Sequence, residues 1–185
     1  KITFLSPKDD PMAAVMQRMD HKLRNIIKTA SRFCQMERHL DLDRFRRMRT
    51  AVSPVDFNDY EALERIVIAV ASRGAGTFLS AVAEDGTDLA TVFLVWDAQR
   101  LYYLCATRLD TTESSKAATW LFCESIAFAK SLGLAFDADG FATVASAKSL
   151  QRWGLPVSLN TDLGRMTLAY QVLKPIKDRI LRPPF

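Results

Sequence analysis

Two carboxylates, two tyrosines and a run of hydroxyls and cations are the residues of this chain with the most chemistry to offer. Asp137 and Asp139 alternate along a short stretch, Ala135–Asp139, so in a strand their side chains share a face. A carboxylate at the mouth of a cleft can take a proton from an amine before that amine attacks a thioester or ester. Tyr102 and Tyr103 adjoin within Leu101–Thr107 and must point to opposite faces, one toward a core and one toward a carbonyl or leaving group. Arg108, Thr111, Thr112, Ser114, Ser115 and Lys116 then lead into an apolar helix running from about 114 to 132. A helix N-terminus carries free N–H groups and the positive end of the macrodipole, so hydroxyls and cations beside it suit an anion. The plainer reading of the same residues is a capped helix start and a pair of strand-end carboxylates, one of them capping the next helix.

These groups need a scaffold, and the pattern supplies one. Leu101–Thr107, the helix and Ala135–Asp139 read as strand, crossover helix and parallel strand, an order that leaves a crevice at the strand ends. Before them, strands at 77–84 and 88–96 flank Asp85-Gly86, a two-residue hairpin signal, and Asp97–Arg100 makes a second tight turn. After them come a polar helix ending at Trp153-Gly154 and a hairpin of 156–159 with 165–170 across the turn Asn160–Gly164. The N-terminal portion opens with a strand over residues 1–6. Met12, Val15, Met19, Leu23, Ile26, Ala30 and Phe33 then define one face of an amphipathic helix. Residues 40–51 form a strongly basic helix (Arg44, Arg46, Arg47, Arg49), and residues 57–72 form another helix, broken from it by Ser53-Pro54. The expected division is a basic helical portion at 1–52, an α/β domain at 53–173 and a tail at 174–185.

Bulk properties narrow the class. With 185 residues, 49% hydrophobic and 25% charged, the chain can bury one real core. No stretch has the roughly 18 apolar residues of a membrane span. Cys34, Cys105 and Cys123 lack any C-x-x-C spacing and read as reduced, buried thiols of a cytoplasmic protein. His21 and His39 have no partners at ligand spacing, so no metal site is expected and both read as surface residues. Residues 1–50 carry 12 Lys and Arg against 6 Asp and Glu, whereas the rest carries 13 against 15. The net charge of +4 therefore resides in the first quarter, which suits either a phosphate-bearing partner or a solvated helical face.

One resemblance goes beyond pattern. Phe93-Leu94-Val95-Trp96-Asp97, then Tyr102-Tyr103-Leu104, then Phe136-Asp137-Ala138-Asp139-Gly140 with Gly154 following, resembles the C-terminal acyltransferase domain of the FemAB-like branch of the GNAT superfamily. The basic helix around 22–30 after a first strand is similar too. The resemblance implies an α/β fold: a GNAT-like mixed sheet with antiparallel strands, one crossover helix and a helical N-terminal portion, preceded by an upstream half-domain of the same superfamily. It implies transfer of an acyl group to an amine of a small molecule or cell-envelope precursor. Asp137 is then the base, with Asp139 at a second acidic position. Tyr102 or Tyr103 lends polar support, and the 108–116 turn binds the anionic part of an acyl-CoA donor. Two departures bear on the donor. The glycine-rich phosphate loop of GNAT enzymes is absent, since no glycine lies between Thr107 and Leu132. Ser149 and Leu150 stand where tRNA-dependent relatives carry an aromatic pair or Phe-Lys, although Arg152, Trp153 and Gly154 match. Three readings follow: an acyl-CoA-dependent transferase, an aminoacyl-tRNA-dependent one, and a non-enzymatic module with the same fold.

Overall fold

Each described strand sits beside a partner distant in sequence or across a tight turn, and those pairings decide the architecture. The computed structural model describes residues 2–52, 60–138, 140 and 144–159. In chain order these form β1 (Ile2–Ser6), α1 (Met12–Arg18), α2 (His21–Ala30), β2 (Cys34–His39), α3 (Leu42–Val52) and α4 (Tyr60–Ala71). Then follow β3 (Gly76–Ala83), β4 (Asp88–Trp96), β5 (Arg100–Arg108), α5 (Thr112–Ser131), β6 (Ala135–Asp137), α6 (Val144–Gln151) and β7 (Val157–Leu159). The strands make one sheet in the order β2-β3-β4-β5-β6-β1-β7. Among the described strands only β5 and β6 run parallel, joined by α5 as the crossover helix, and the other pairings are antiparallel. The mixed sheet with one crossover helix is thus present as read from the sequence. The expected strand at 165–170 and the start of the 57–72 helix lie outside the described residues.

β1 lies between β6 and β7, and β2 pairs with β3 along its whole length, so strands on both sides of residue 52 share the sheet. Two local expectations change. The helix expected over 12–33 is two helices, broken at Met19-Asp20 where Asp20 caps α2 through the Lys22 amide at 2.7 Å. The 152–154 turn docks into that break: the Asp20 amide donates to the Arg152 carbonyl at 2.9 Å and Arg18 Nε donates to the Gly154 carbonyl at 3.2 Å. Residues 34–39, which no apolar alternation marks, form the edge strand β2, with mostly exposed side chains.

The sheet has two faces with separate cores. On one, α1, α2 and α5 cover Phe4, Leu79, Ala81, Val92, Leu94, Leu101 and Phe136. On the other, Phe45 of α3 and Leu63 and Val67 of α4 close over Phe78 and Phe93. β5 changes register between Phe93–Cys105 and Leu94–Tyr103, which leaves Leu104 as a bulge. Leu104 and Cys105 both join the α3–α4 core, and Tyr103 joins the α5 core. A one-residue insertion flips every later side chain, so Arg108 shares the α5 face with Tyr103 rather than the Tyr102 face.

Gly154 has φ +63, and a Cβ there would stand 2.7 Å from the Arg18 carbonyl oxygen. Gly133 has φ +69 with open space around it. Gly133→Ala is expected to cost about 1 kcal/mol, the left-handed penalty alone. Gly154→Ala, which adds a backbone clash, is expected to cost roughly 2–4 kcal/mol in urea denaturation.

Candidate functional site

The residues singled out from the sequence fall into two groups on opposite faces of the sheet. The first surrounds Asp137, the last residue of β6, whose side chain is fully buried. Its Oδ1 accepts from the Thr3 hydroxyl at 2.5 Å, and its Oδ2 accepts from Arg100 Nη1 at 3.2 Å. Thr3 in turn accepts from the Gly140 amide at 3.0 Å, which ties the segment after β6 back to β1. Tyr102 is paired in register with Asp137 and shares its face. The Tyr102 hydroxyl donates to Asp97 Oδ2 at 3.0 Å, and Asp97 Oδ1 accepts from the amides of Gln99 and Arg100. Burial pushes the Asp97 carboxyl up, but those two amides and the Tyr102 hydroxyl outweigh it and hold Asp97 below its ordinary value. Burial and then the Asp97 carboxylate push the Tyr102 hydroxyl up. Asp137 thus belongs to a polar network of Thr3, Asp97, Arg100 and Tyr102. Asp139 lies outside the described residues.

The second group lies at the start of α5 on the other face. Arg108, Thr111, Thr112, Ser115 and Lys116 line one open depression of about 480 Å3, with Asp110 and with Ile26 of α2 as its apolar wall. Ser114 is buried beneath it and serves the helix cap: Thr111 Oγ1 accepts from the Ser114 amide at 3.1 Å and shares a hydrogen bond with the Ser114 hydroxyl at 2.7 Å. Arg108 Nη1 donates to the Leu109 carbonyl, and its side chain otherwise stands exposed. Two cations, three exposed hydroxyl residues and the positive end of a 20-residue helix therefore converge on one spot.

Tyr103 lies further back along β5, on the same face as Arg108. It stands one residue beyond the last β5–β6 pair, Tyr102 with Asp137, where β5 runs on and β6 stops. Its ring packs against Phe122 at 5.0 Å and Phe136 at 6.3 Å. Burial, and then Cys105, push its hydroxyl well above the ordinary tyrosine value, so it remains a protonated donor near neutral pH. Five residues of strand separate Tyr103 from Arg108, roughly 15 Å. Trp153, the aromatic before Gly154, is buried against Phe122 with ring centroids 4.4 Å apart, and Arg152 pairs with Asp20. Glu124 is half-buried on α5; burial pushes its carboxyl up against the opposing effect of the Trp120 indole.

Several participants carried no signal in the sequence. Thr3 is 134 positions from Asp137, and Arg100 read as a turn residue. Ile26, assigned to the inward face of a helix, is only half-buried and walls the anion depression. His39, expected at the surface, is half-buried against Phe78 and bonded to Ser80. The three cysteines are free; burial pushes the thiols of Cys34, Cys105 and Cys123 up to about 11, 12 and 12. Among the described residues no three His, Cys, Asp or Glu side chains gather as a metal site, and no helix is long and apolar enough to cross a membrane.

Asp137→Ala leaves the Thr3 hydroxyl and Arg100 facing an empty site. Arg100 is 31% exposed and can turn to water, so the expected loss is about 2–3 kcal/mol, short of a fully buried pair. Thr3→Val is expected to cost about 1–2 kcal/mol. Because both act in one network, denaturation of the double variant should show less than the sum.

Comparison with known proteins places this geometry in a fold. No family model matches the chain, and no curated protein matches its sequence. Solved structures do. FemX superposes with a TM-score of 0.70 at 12% identity, covering 85% of this chain and 59% of FemX. L-PGS from Bacillus licheniformis superposes at 0.54 with 12% identity, covering 81% of this chain and 50% of that protein. A conserved protein of unknown function from Bacteroides thetaiotaomicron does so at 0.54 with 11% identity, covering 82% and 55%. The chain therefore shares the fold of FemX and L-PGS, and it spans between half and three-fifths of the length of those proteins.

Proposed function

We propose that the chain is an N-acyltransferase that draws its acyl group from an acyl-CoA thioester, with the donor's phosphates held at the start of α5. The observation that carries this reading is the convergence of Arg108 and Lys116 with Thr111, Thr112 and Ser115 at the helix N-terminus. The acyl end of the donor then lies along β5 toward Tyr103, on the same face, where β5 and β6 part. Such a donor needs a long arm between its anionic end and its reactive carbon, and the roughly 15 Å of strand from Arg108 to Tyr103 is of that order. In the transfer, the acceptor amine forms the new N–C bond as the C–S bond breaks. The amine proton leaves to a base, and the departing thiolate takes a proton. Tyr103, whose hydroxyl is protonated at neutral pH and is pushed further up by burial, is suited to hydrogen-bond the carbonyl or the leaving sulfur. Asp137 is enclosed by its network on the opposite face, so in this reading it acts by positioning Arg100 and the segment at Gly140. The acceptor is an amine of a small molecule or cell-envelope precursor.

A second reading, an aminoacyl-tRNA donor, draws on a different feature. Arg46 and Arg47 line a depression on α3, and Arg47 also lines the next one with Arg44, Thr87 and Leu109. Leu109 follows Arg108 at the end of β5, so this reading has cations on both faces of the sheet contribute to holding a polyanion. Asp43, Asp41, Glu37 and Asp88 pair with these arginines and offset part of that charge.

Calorimetric titration of acetyl-CoA into the protein should show micromolar binding, weakened at least tenfold by Arg108→Ala with Lys116→Ala. Binding of deacylated tRNA instead, with affinity falling steeply from 50 to 200 mM salt, would favour the second reading. Binding of neither by a folded sample would leave a non-enzymatic module of this fold.

A further inference from the structure

β2 ends at His39, and α3 begins three residues later; the imidazole spans that joint. Nδ1 of His39 accepts from the Asp41 amide at 3.1 Å, and a ring nitrogen that accepts from an N–H carries no proton. Nε2 must then bear the hydrogen and donate to Ser80 Oγ at 2.8 Å. Ser80 shares a second hydrogen bond with Thr91 Oγ1 at 2.8 Å, and both of these residues are buried in the sheet. The ring also stacks on Phe78, with centroids 5.5 Å apart and planes 12° from parallel. Phe45 of α3 packs on that same Phe78. Asp41 has a second task, because its Oδ1 caps α3 by accepting from the Arg44 amide at 2.8 Å.

We propose that His39 is an acid-released latch on α3: neutral, it holds the Asp41 amide and the capped helix start against the sheet, and protonated it lets them go. A proton on Nδ1 puts two N–H groups face to face and removes the acceptor. The Asp41 carboxylate then has a cation beside it and a reason to leave the Arg44 amide. The charged groups around the ring act in both directions. Burial and then the Arg44 guanidinium hold His39 below its ordinary value, against the carboxylates of Asp41, Asp88 and Glu37. Arg44 itself is fixed by Asp88 and Glu37, at 2.5–2.7 Å. The folded state therefore binds this proton less readily than the unfolded chain. The stability that neutral His39 contributes is complete above the ordinary histidine range and declines as pH falls through it toward the lower folded value. α3 carries Arg44 and Arg47, which wall the depression beside Leu109, so release of its first turn would loosen that wall.

The test is a pH titration of the full chain from 8 to 5 by NMR, following the His39 ring nitrogens and the backbone amides of α3. His39→Gln keeps a donor for Ser80, and His39→Asn keeps an acceptor for Asp41; neither titrates in this range. The expected result is the Nε2–H tautomer at pH 8, with the amides of Asp41 and Arg44 moving at the His39 midpoint, below 6.5. In either variant that remains folded, those amide shifts should disappear. The proposal is overturned by an Nδ1–H tautomer at pH 8, by His39 titrating while the α3 amides stay fixed, or by the same amide titration persisting in a folded variant.

Discussion

The pairing of β1 with β6, sealed by the Thr3 hydroxyl on the Asp137 carboxylate, is the constraint on which the rest of this structure depends. A carboxylate with no solvent exposure is tolerable only where hydrogen bonds and an opposite charge replace its water, and Thr3 and Arg100 do that here. The interaction joins three stretches that are far apart in sequence: the first strand, the turn into β5 and the end of the crossover unit. β1 could not leave its place between β6 and β7 without stranding that charge. Apolar burial on the opposite face, with Phe4 and Phe136 in one core, reinforces the same register.

Much of the fold was legible because it is locally encoded. Asp85-Gly86 announces the β3–β4 hairpin, and β5, α5 and β6 read directly from an apolar strand, a long apolar helix and a short strand. What escaped is what tertiary contact decides. Cys34-Gln35-Met36-Glu37-Arg38-His39 looks like a polar linker, yet it becomes β2 because β3 offers it an unpaired edge and an edge strand needs little burial. The 3–4 apolar spacing over residues 12–33 is real, but Asp20 prefers to cap, and the Arg152–Gly154 turn supplies partners for the broken backbone. His39 read as a surface residue for a similar reason: its partner Ser80, and Thr91 to which Ser80 is bonded, lie on other strands.

The charge map shows the same limit. Counting residues assigns a basic excess to the first quarter of the chain, but position decides how much of it is available. Arg44 is committed to Asp88 and Glu37, Arg24 donates to the carbonyls of Met16, Gln17 and Met19, and Arg18 pairs with Asp10. These arginines act as internal fasteners, each holding one element to another. Arg108 and Lys116, which contribute nothing to that excess, are the cations the fold brings to a helix N-terminus.

The candidate site depends most on a single feature that no pattern in the sequence marks. Without the bulge at Leu104, strict alternation along β5 would place Arg108 on the face of Tyr102 and Asp137, away from α5. With it, Tyr103 and Arg108 share the α5 face, so the Tyr103 side chain and the anion depression lie on the same side of the sheet. Tyr102 and Asp137 stay on the opposite face, where Asp137 holds Arg100 and, through Thr3, the Gly140 amide. One inserted residue thus separates the groups that hold the scaffold from the groups that can meet a ligand. It does so just past the last β5–β6 pair, where β5 outruns β6.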